Sequence, residues 1–257
     1  MITSTQNSKV KEIRDLQAHS KARRAQQAFV VEGVRLCEEA LEASWGVRYC
    51  LYSPDLTGRG MELVNTLNEK GVEAESAAEH VIKAASETKT PQGIVMVLDA
   101  ASQPLPSAAE FVLVLDQIGD PGNVGSLLRT AAAAGVQAVL ASSGSVDLFS
   151  PKVIRSGMGA HFRLPVATLP AEEIIETCQG WDVQLWASVM EQGIPFTQAA
   201  LGQPAALIVG SEAEGVGEEL LQAAKKMHIP MPGGSESLNA AAAGAILIYE
   251  AVRQRSQ

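Results

Sequence analysis

Three glycine-bearing turns in the second half of the 257-residue chain constrain its fold more tightly than any other feature. They read Asp116-Gln-Ile-Gly-Asp-Pro-Gly-Asn-Val-Gly-Ser-Leu-Leu-Arg129, Gly210-Ser-Glu-Ala-Glu-Gly-Val-Gly217 and Ile229-Pro-Met-Pro-Gly-Gly-Ser-Glu-Ser-Leu-Asn239. Each follows a short apolar run of β character: Phe111 to Leu115, Ala206 to Val209, Met227 to Ile229. A strand that ends in a glycine turn and opens a helix lets backbone groups approach a ligand closely. One such turn is weak ground for function. Three in one stretch predict that several strand ends converge on a single site.

The same alternation runs through the rest of the chain. Val10, Ile13 and Leu16 follow helical spacing, and Phe29 to Val31 reads as a strand. Helices are predicted over Val34 to Ala43, Met61 to Lys70 and Ala77 to Ser86, with strands at Val47 to Tyr52, Val72 to Ala74 and Ile94 to Leu98. Proline and small polar residues from Asp99 to Ser107 mark a linker, so the expected division is 1–99, a linker at 100–109, and 110–257. Past the linker, helices are predicted over Val124 to Ala134, from Pro151, over Ala171 to Cys178 and from Leu238 to Arg253. Strands fall between them at Ala138 to Leu140, Ala167 to Leu169 and Val183 to Ala187. Both halves are therefore expected to be α/β.

A net charge of −9 argues against a generic nucleic-acid binder, which makes the distribution of charge the useful quantity. Residues 1–35 carry seven basic side chains (Lys9, Lys11, Arg14, Lys21, Arg23, Arg24, Arg35) against Glu12, Asp15 and Glu32, a local +4 that leaves −13 for the remainder. Such a segment is either a phosphate-contacting face or a solvated helix surface. Cys37, Cys50 and Cys178 are odd in number and lack metal-ligand spacing, and the four histidines form no pattern, so no metal is expected. These cysteines read as thiols of a reducing cytoplasm. The polar N-terminus and the shortness of the nearly uncharged run Leu238 to Tyr249 give no expectation of a membrane segment.

The turns carry the candidate chemistry. In the first, Pro121 presets the turn, and Asn123 can cap the helix or offer its amide to a ligand oxygen. Arg129, six residues on, lies on a different helical face. A phosphate-binding loop is absent because no lysine follows Gly125, and the spacing Gly119, Gly122, Gly125 does not match a dinucleotide fingerprint. In the second, Glu212 and Glu214 are either an acid–base pair or partners of a helix dipole. In the third, Ser237 is a nucleophile, a cap or a ligand contact, and no His or Asp is placed by sequence to activate it. Ala240, Ala241, Ala242 and Gly244 permit close packing of the last helix.

In this order the turns resemble the three signature motifs of the SpoU/TrmH family of RNA ribose 2′-O-methyltransferases. Asn-x-Gly-x-x-x-Arg is matched by Asn123, Gly125 and Arg129, and Gly-Ser-Glu-x-x-Gly by Gly210 to Gly215. Ile-Pro-Met…Ser-Leu-Asn is matched by Ile229, Pro230, Met231, Ser237, Leu238 and Asn239. The segment Ser150 to Ala160 is similar to the family's linking segment. The first half more weakly resembles the ribosomal-protein-like RNA-binding domain fused to this family, through Thr3-Ser4, Asn7, Lys9, Phe29-Val-Val-Glu-Gly33 and Thr90-Pro-Gln-Gly93.

The resemblance implies an α/β-knot methyltransferase domain with a deep trefoil knot, a smaller N-terminal α/β RNA-binding domain, and a homodimer. It implies S-adenosylmethionine as cofactor, bound by Ala187, Ser188, Gly210, Ile229, Met231 and Leu238. It places Arg129 at the reacting ribose with Asn123, Glu212, Ser237 and Asn239 around it. The +4 segment is then the expected RNA contact, through Lys9, Lys21, Arg23 and Arg24. Since a guanidinium keeps its proton above a pKa of about 12, Arg129 is read as a phosphate clamp rather than a base. The missing phosphate cradle fits a cofactor that has no phosphate. One departure is Ala240-Ala-Ala-Ala243, where relatives carry a Ser-Val-Ala-type continuation. Ribosomal RNA is the expected substrate. The competing readings are a transfer RNA 2′-O-methyltransferase, a catalytically silent RNA-binding or assembly protein on the same scaffold, and a small-molecule enzyme using another nucleotide.

Overall fold

A computed structural model of the chain describes residues 1–100, 103–234 and 236–257. Ala101 and Ser102 of the expected linker, and Ser235 of the third turn, lie outside the described residues. The chain divides into two compact units, residues 1–102 with 149–162, and residues 103–148 with 163–257.

The first unit runs α1 (Ser8–Ala18), α2 (Ser20–Gln26), β1 (Ala28–Glu32), α3 (Val34–Glu42), β2 (Val47–Tyr52), α4 (Arg59–Glu69), β3 (Glu73–Ser76), α5 (Glu79–Ala84) and β4 (Ile94–Asp99). Its sheet has the order β1-β4-β2-β3, with β4 antiparallel to β1 and β2, and β2 parallel to β3. Strand side chains alternate between two buried faces. Phe29, Val31, Cys50, Ile94, Met96 and Leu98 pack with Leu36, Cys37, Leu63 and Leu67 of α3 and α4. Val30, Tyr49, Leu51, Val95 and Val97 pack with Val10, Ile13 and Leu16 of α1 and Val81 and Ile82 of α5.

The second unit opens with β5 (Phe111–Leu115), α6 (Pro121–Ala133) and β6 (Ala138–Ser142). The chain then contributes α7 (Pro151–Gly157) to the first unit. There Ile154 and Phe162 complete the apolar cluster, with the Phe162 ring 5.4 Å from that of Trp45 and Phe149 4.9 Å from Phe29. The second unit resumes with β7 (Val166–Leu169), α8 (Ala171–Gly180), β8 (Gln184–Val189), β9 (Ile194–Pro195), β10 (Ala205–Val209), α9 (Glu218–Ala223), β11 (Lys225–His228) and α10 (Ala240–Arg255).

Seven strands form one sheet in the order β7-β6-β5-β10-β8-β11-β9, and every neighbouring pair is parallel. A parallel sheet is covered on both faces, which is why β5, β6 and β10 are buried along their whole length and, Ser142 apart, apolar. Ile174 and Cys178 of α8 and Leu220 of α9 cover one face. α10 packs against α6 and β10 on the other. A Cβ on Gly244 would come within 2.2 Å of Leu127 Cδ2, so the small residues of α10 do set a close helix approach. The strand order puts the turns after β5, β10, β8 and β11 side by side along the carboxyl edge of the sheet, the usual ligand edge of open α/β folds.

Candidate active site

The first turn differs from its predicted cap. Asp120, not Asn123, is the N-cap of α6: its Oδ1 accepts from the Asn123 backbone N–H at 2.8 Å. With that acceptor supplied three residues earlier, the Asn123 side chain is released to project from the first turn of the helix. Its Nδ2 donates to Glu212 Oε1 at 2.8 Å, and its Oδ1 accepts from Asn239 Nδ2 at 2.9 Å. Asn239 Nδ2 also donates to Glu212 Oε1 at 2.8 Å, and the Ala240 N–H donates to the same oxygen at 3.1 Å. Asn239 Oδ1 meanwhile caps α10 through the N–H groups of Ala241 and Ala242, at 3.0 and 3.3 Å. One residue from each of the three turns thus meets the others in a single polar network, 89 and 116 residues apart in sequence from Asn123. The other oxygen of Glu212 carries no bond among the described residues.

The second turn is closed on itself by two backbone bonds between Ser211 and Gly215, at 3.0 and 2.9 Å. A Cβ on Gly210 would lie 2.2 Å from the Gly215 carbonyl carbon, so this glycine is required by the turn itself. The turn is also tied to the end of β5, where the buried Asp116 accepts from the Gly217 N–H at 2.6 Å.

Beside the network lies a cavity of about 960 Å³, lined by Ser188, Gly210, Ile229, Met231, Ser237 and Leu238 among others. Five of the six expected cofactor positions therefore share one space. Ala187 is the exception: its side chain is fully buried in the core with Ile208 and Leu220, behind the cavity wall. Sequence reasoning missed Val189 at the end of β8, Met190 to Gln192 after it, and Lys226 and His228 on β11, all of which line it. Local signals were weak because β11 is only four residues long and half of it is lysine.

Arg129 is exposed on α6, without a partner among the described residues, and it makes no bond to the network. Ser237 lines the cavity and has no hydrogen bond among the described residues. Of the predicted RNA contacts, Lys21 and Arg24 are exposed. Arg23 needs correction. It is 6% exposed, and its Nη1 donates to the Leu16 and Gln17 carbonyls at the end of α1, so it closes a helix terminus rather than offering its charge to a phosphate. Lys9 is likewise engaged, 2.5 and 3.2 Å from Glu73 and Glu75 and 5.3 Å from the Tyr49 ring centroid. The thiols are inert in kind: burial pushes Cys50 and Cys178 up to about 12 and raises Cys37 as well. Among the described residues no group of three His, Cys, Asp or Glu side chains is placed to hold a metal, and no helix is long and apolar enough to cross a membrane.

The profile of the SpoU rRNA methylase family matches residues 110–249, more than half of the chain. The chain belongs to this family. In this SpoU methylase, residues 7–96 match a second description, the MRM3-like substrate binding domain. Among its relatives is the 23S rRNA (guanosine(2553)-2′-O)-methyltransferase RlmP of Bacillus subtilis, 35% identical over 250 residues that cover 96% of this chain and 97% of the relative. The 23S rRNA (uridine(2479)-2′-O)-methyltransferase of Streptomyces viridochromogenes is 30% identical, covering 88% and 83% of the two chains. The crystal structure of the SpoU methyltransferase AviRb from Streptomyces viridochromogenes, in complex with the cofactor AdoMet, matches with a TM-score of 0.91 at 27% identity. It covers 98% of this chain and 99% of that one.

Proposed function

We propose that this SpoU methylase transfers a methyl group from S-adenosylmethionine to a ribose 2′-hydroxyl of ribosomal RNA. The observation that carries this reading is the Asn123–Glu212–Asn239 network standing beside the 960 Å³ cavity, with all three family turns in one place. The cavity suits that cofactor. Its volume is within the range of small-molecule sites. Its walls come mainly from the segments that follow β8, β10 and β11, and its ionic groups (Glu191, Glu212, Glu214 and Glu236 with Lys226) suit a ligand carrying both signs of charge. When bound, S-adenosylmethionine supplies a methyl group activated on a sulfonium.

The chain's own contribution is placement and charge. Glu212 and Asn239 hold the Asn123 amide rigidly, so it can orient the attacking ribose without reorganising during the reaction. Arg129, which has no partner among the described residues, is available to clamp the neighbouring phosphate and to stabilise the alkoxide as the 2′-oxygen loses its proton. Ser237 offers a hydroxyl at the cavity wall. The three motifs together support a catalytic chain over a silent one. Ribose-methylation mapping of total RNA with and without the protein tests this reading: one ribose methyl in ribosomal RNA is expected to disappear, and a lost base methyl would overturn it.

Three further features belong to the same proposal. β11 lies beyond β8 in the sheet, yet α10 packs against α6 and β10, which supports a trefoil knot in the C-terminal part of the chain. Ile246 and Tyr249, three residues apart on α10, are 38% and 53% exposed, which supports a homodimer. Three free, buried cysteines support the cytoplasm as its compartment. The expected substrate-binding and catalytic parts at 1–99 and 110–257 are kept as a functional division, supported by the two matched stretches.

A further inference from the structure

Strand β11 presents two kinds of side chain on alternate positions. Met227 is fully buried and Lys225 Nζ sits 5.5 Å from the Trp186 ring centroid, while Lys226 and His228 line the cavity. Lys226 is the one Lys or Arg among the described residues of that lining. It is half-buried and makes no ion pair among the described residues. The Nδ1 atom of His228, also on this wall, is buried and has no hydrogen-bond partner among the described residues. The loop across from them is held against the strand, because Gly193 packs so closely that a Cβ there would lie 2.3 Å from the Lys226 carbonyl oxygen. A half-buried ammonium that forms no ion pair among the described residues, beside an unsatisfied ring nitrogen, is an uncommon arrangement unless a ligand completes it.

The remaining ionic side chains of the cavity are all acidic: Glu191, Glu212, Glu214 and Glu236. S-Adenosylmethionine has two cationic groups, the sulfonium and the α-ammonium, and one anionic group, the α-carboxylate. Lys226 can complement only the last of these. We propose that Lys226, aided by His228, binds the α-carboxylate of S-adenosylmethionine and fixes the amino-acid end of the cofactor at the end of β11. This assignment rests on the reading of the cavity as the cofactor site.

Calorimetric titration of the full chain with S-adenosylmethionine and with its decarboxylated analogue tests the assignment without an activity measurement. The two ligands share the sulfonium and differ in the carboxylate. Wild-type protein is expected to prefer S-adenosylmethionine by about tenfold or more, the scale of a charge-assisted contact. Lys226→Met should abolish that preference by weakening S-adenosylmethionine alone, Lys226→Arg should restore part of it, and His228→Asn should reduce it less. Equal binding of the two ligands by wild type overturns the proposal and needs no variant to fold. So does equal weakening of both ligands in Lys226→Met, which would mark the lysine as structural. A loss of RNA affinity with unchanged cofactor affinity would give Lys226 to an RNA phosphate instead and also overturn it. Failure of wild type to bind S-adenosylmethionine would remove the cofactor reading itself, and the assignment with it.

Discussion

Arg23 and Arg129 come from the two regions to which the sequence assigns function, and their surroundings are opposite. On α1 and α2 of the first unit, the guanidinium of Arg23 is buried on α1 carbonyls and Lys9 lies between two glutamates, so charge that looks available in sequence is consumed by the fold. At the carboxyl edge of the second sheet, Asn123, Glu212 and Asn239 satisfy one another and leave Arg129, Ser237 and one oxygen of Glu212 without partners among the described residues. A local +4 is therefore a weaker guide to substrate contact than one arginine with nothing to bond. What a side chain can do for a ligand depends on what the fold has left unsatisfied.

The sharpest way to break this comparison is Arg129→Ala. An exposed, unpartnered side chain should be removable with a stability change within about 0.5 kcal/mol, yet methyl transfer should fall by about 100- to 1,000-fold if Arg129 stabilises developing charge. Arg129→Lys should stay well below wild type, because a point charge lacks the two-pronged geometry of a guanidinium. Near-wild-type single-turnover transfer by Arg129→Lys would sink the clamp. Asn239→Ala should do less to the rate and more to the fold. It removes the α10 cap and two bonds of the network, so a loss of about 1–2 kcal/mol in denaturant unfolding should accompany a rate loss of about 10- to 100-fold. Full activity in a destabilised Asn239→Ala would separate the network from catalysis.

Much of this site was legible in the sequence because its elements are local. Apolar runs ending in glycine turns placed β5 and β10 within one residue, the α10 start within two and the α6 start within three, and the motif spacing singled out Asn123, Glu212 and Asn239. What sequence could not supply was competition between neighbours. Asp120 displaces Asn123 as the cap, and only then is the Asn123 amide free to reach Glu212 across 89 residues. The burial of Arg23 was hidden for a similar reason: α2 folds back at His19, and the guanidinium meets the carbonyls of the helix it has just left. Gly210 shows the converse, a motif glycine whose necessity lies in its own turn. β11 begins two residues earlier than its apolar character implies, because Lys225 lies over the Trp186 ring and Lys226 faces the cavity, so neither position selects an apolar side chain.

Arg23→Ala tests the other side of the comparison. Removing a buried donor that satisfies two carbonyls should destabilise the first unit by about 2 kcal/mol, measured by urea unfolding, while RNA affinity of the folded protein changes little. Arg23→Lys should recover only part of that loss, since one ammonium on a different stem replaces a planar fork. A stable Arg23→Ala would mean the contact is dispensable and the burial incidental.

The smallest expected effect discriminates most finely. Lys21 and Arg24 share α2 with Arg23 but are exposed. Replacing both by alanine should leave unfolding unchanged within about 0.5 kcal/mol and weaken RNA binding by a few-fold. If both touch phosphates, the slope of log affinity against log salt should become shallower by about 1.4 on single-stranded RNA. Arg23→Ala, measured at a temperature where it is folded, carries the same unit change of charge from the same helix. At long range the two kinds of variant alter the field alike, so only direct contact can separate them. A per-charge loss of affinity that is equal for Arg23 and for Arg24 would show that the RNA senses the helix as a diffuse field. In that case the distinction between engaged and available cations would not govern binding in the first unit, whatever Arg129 does in the second.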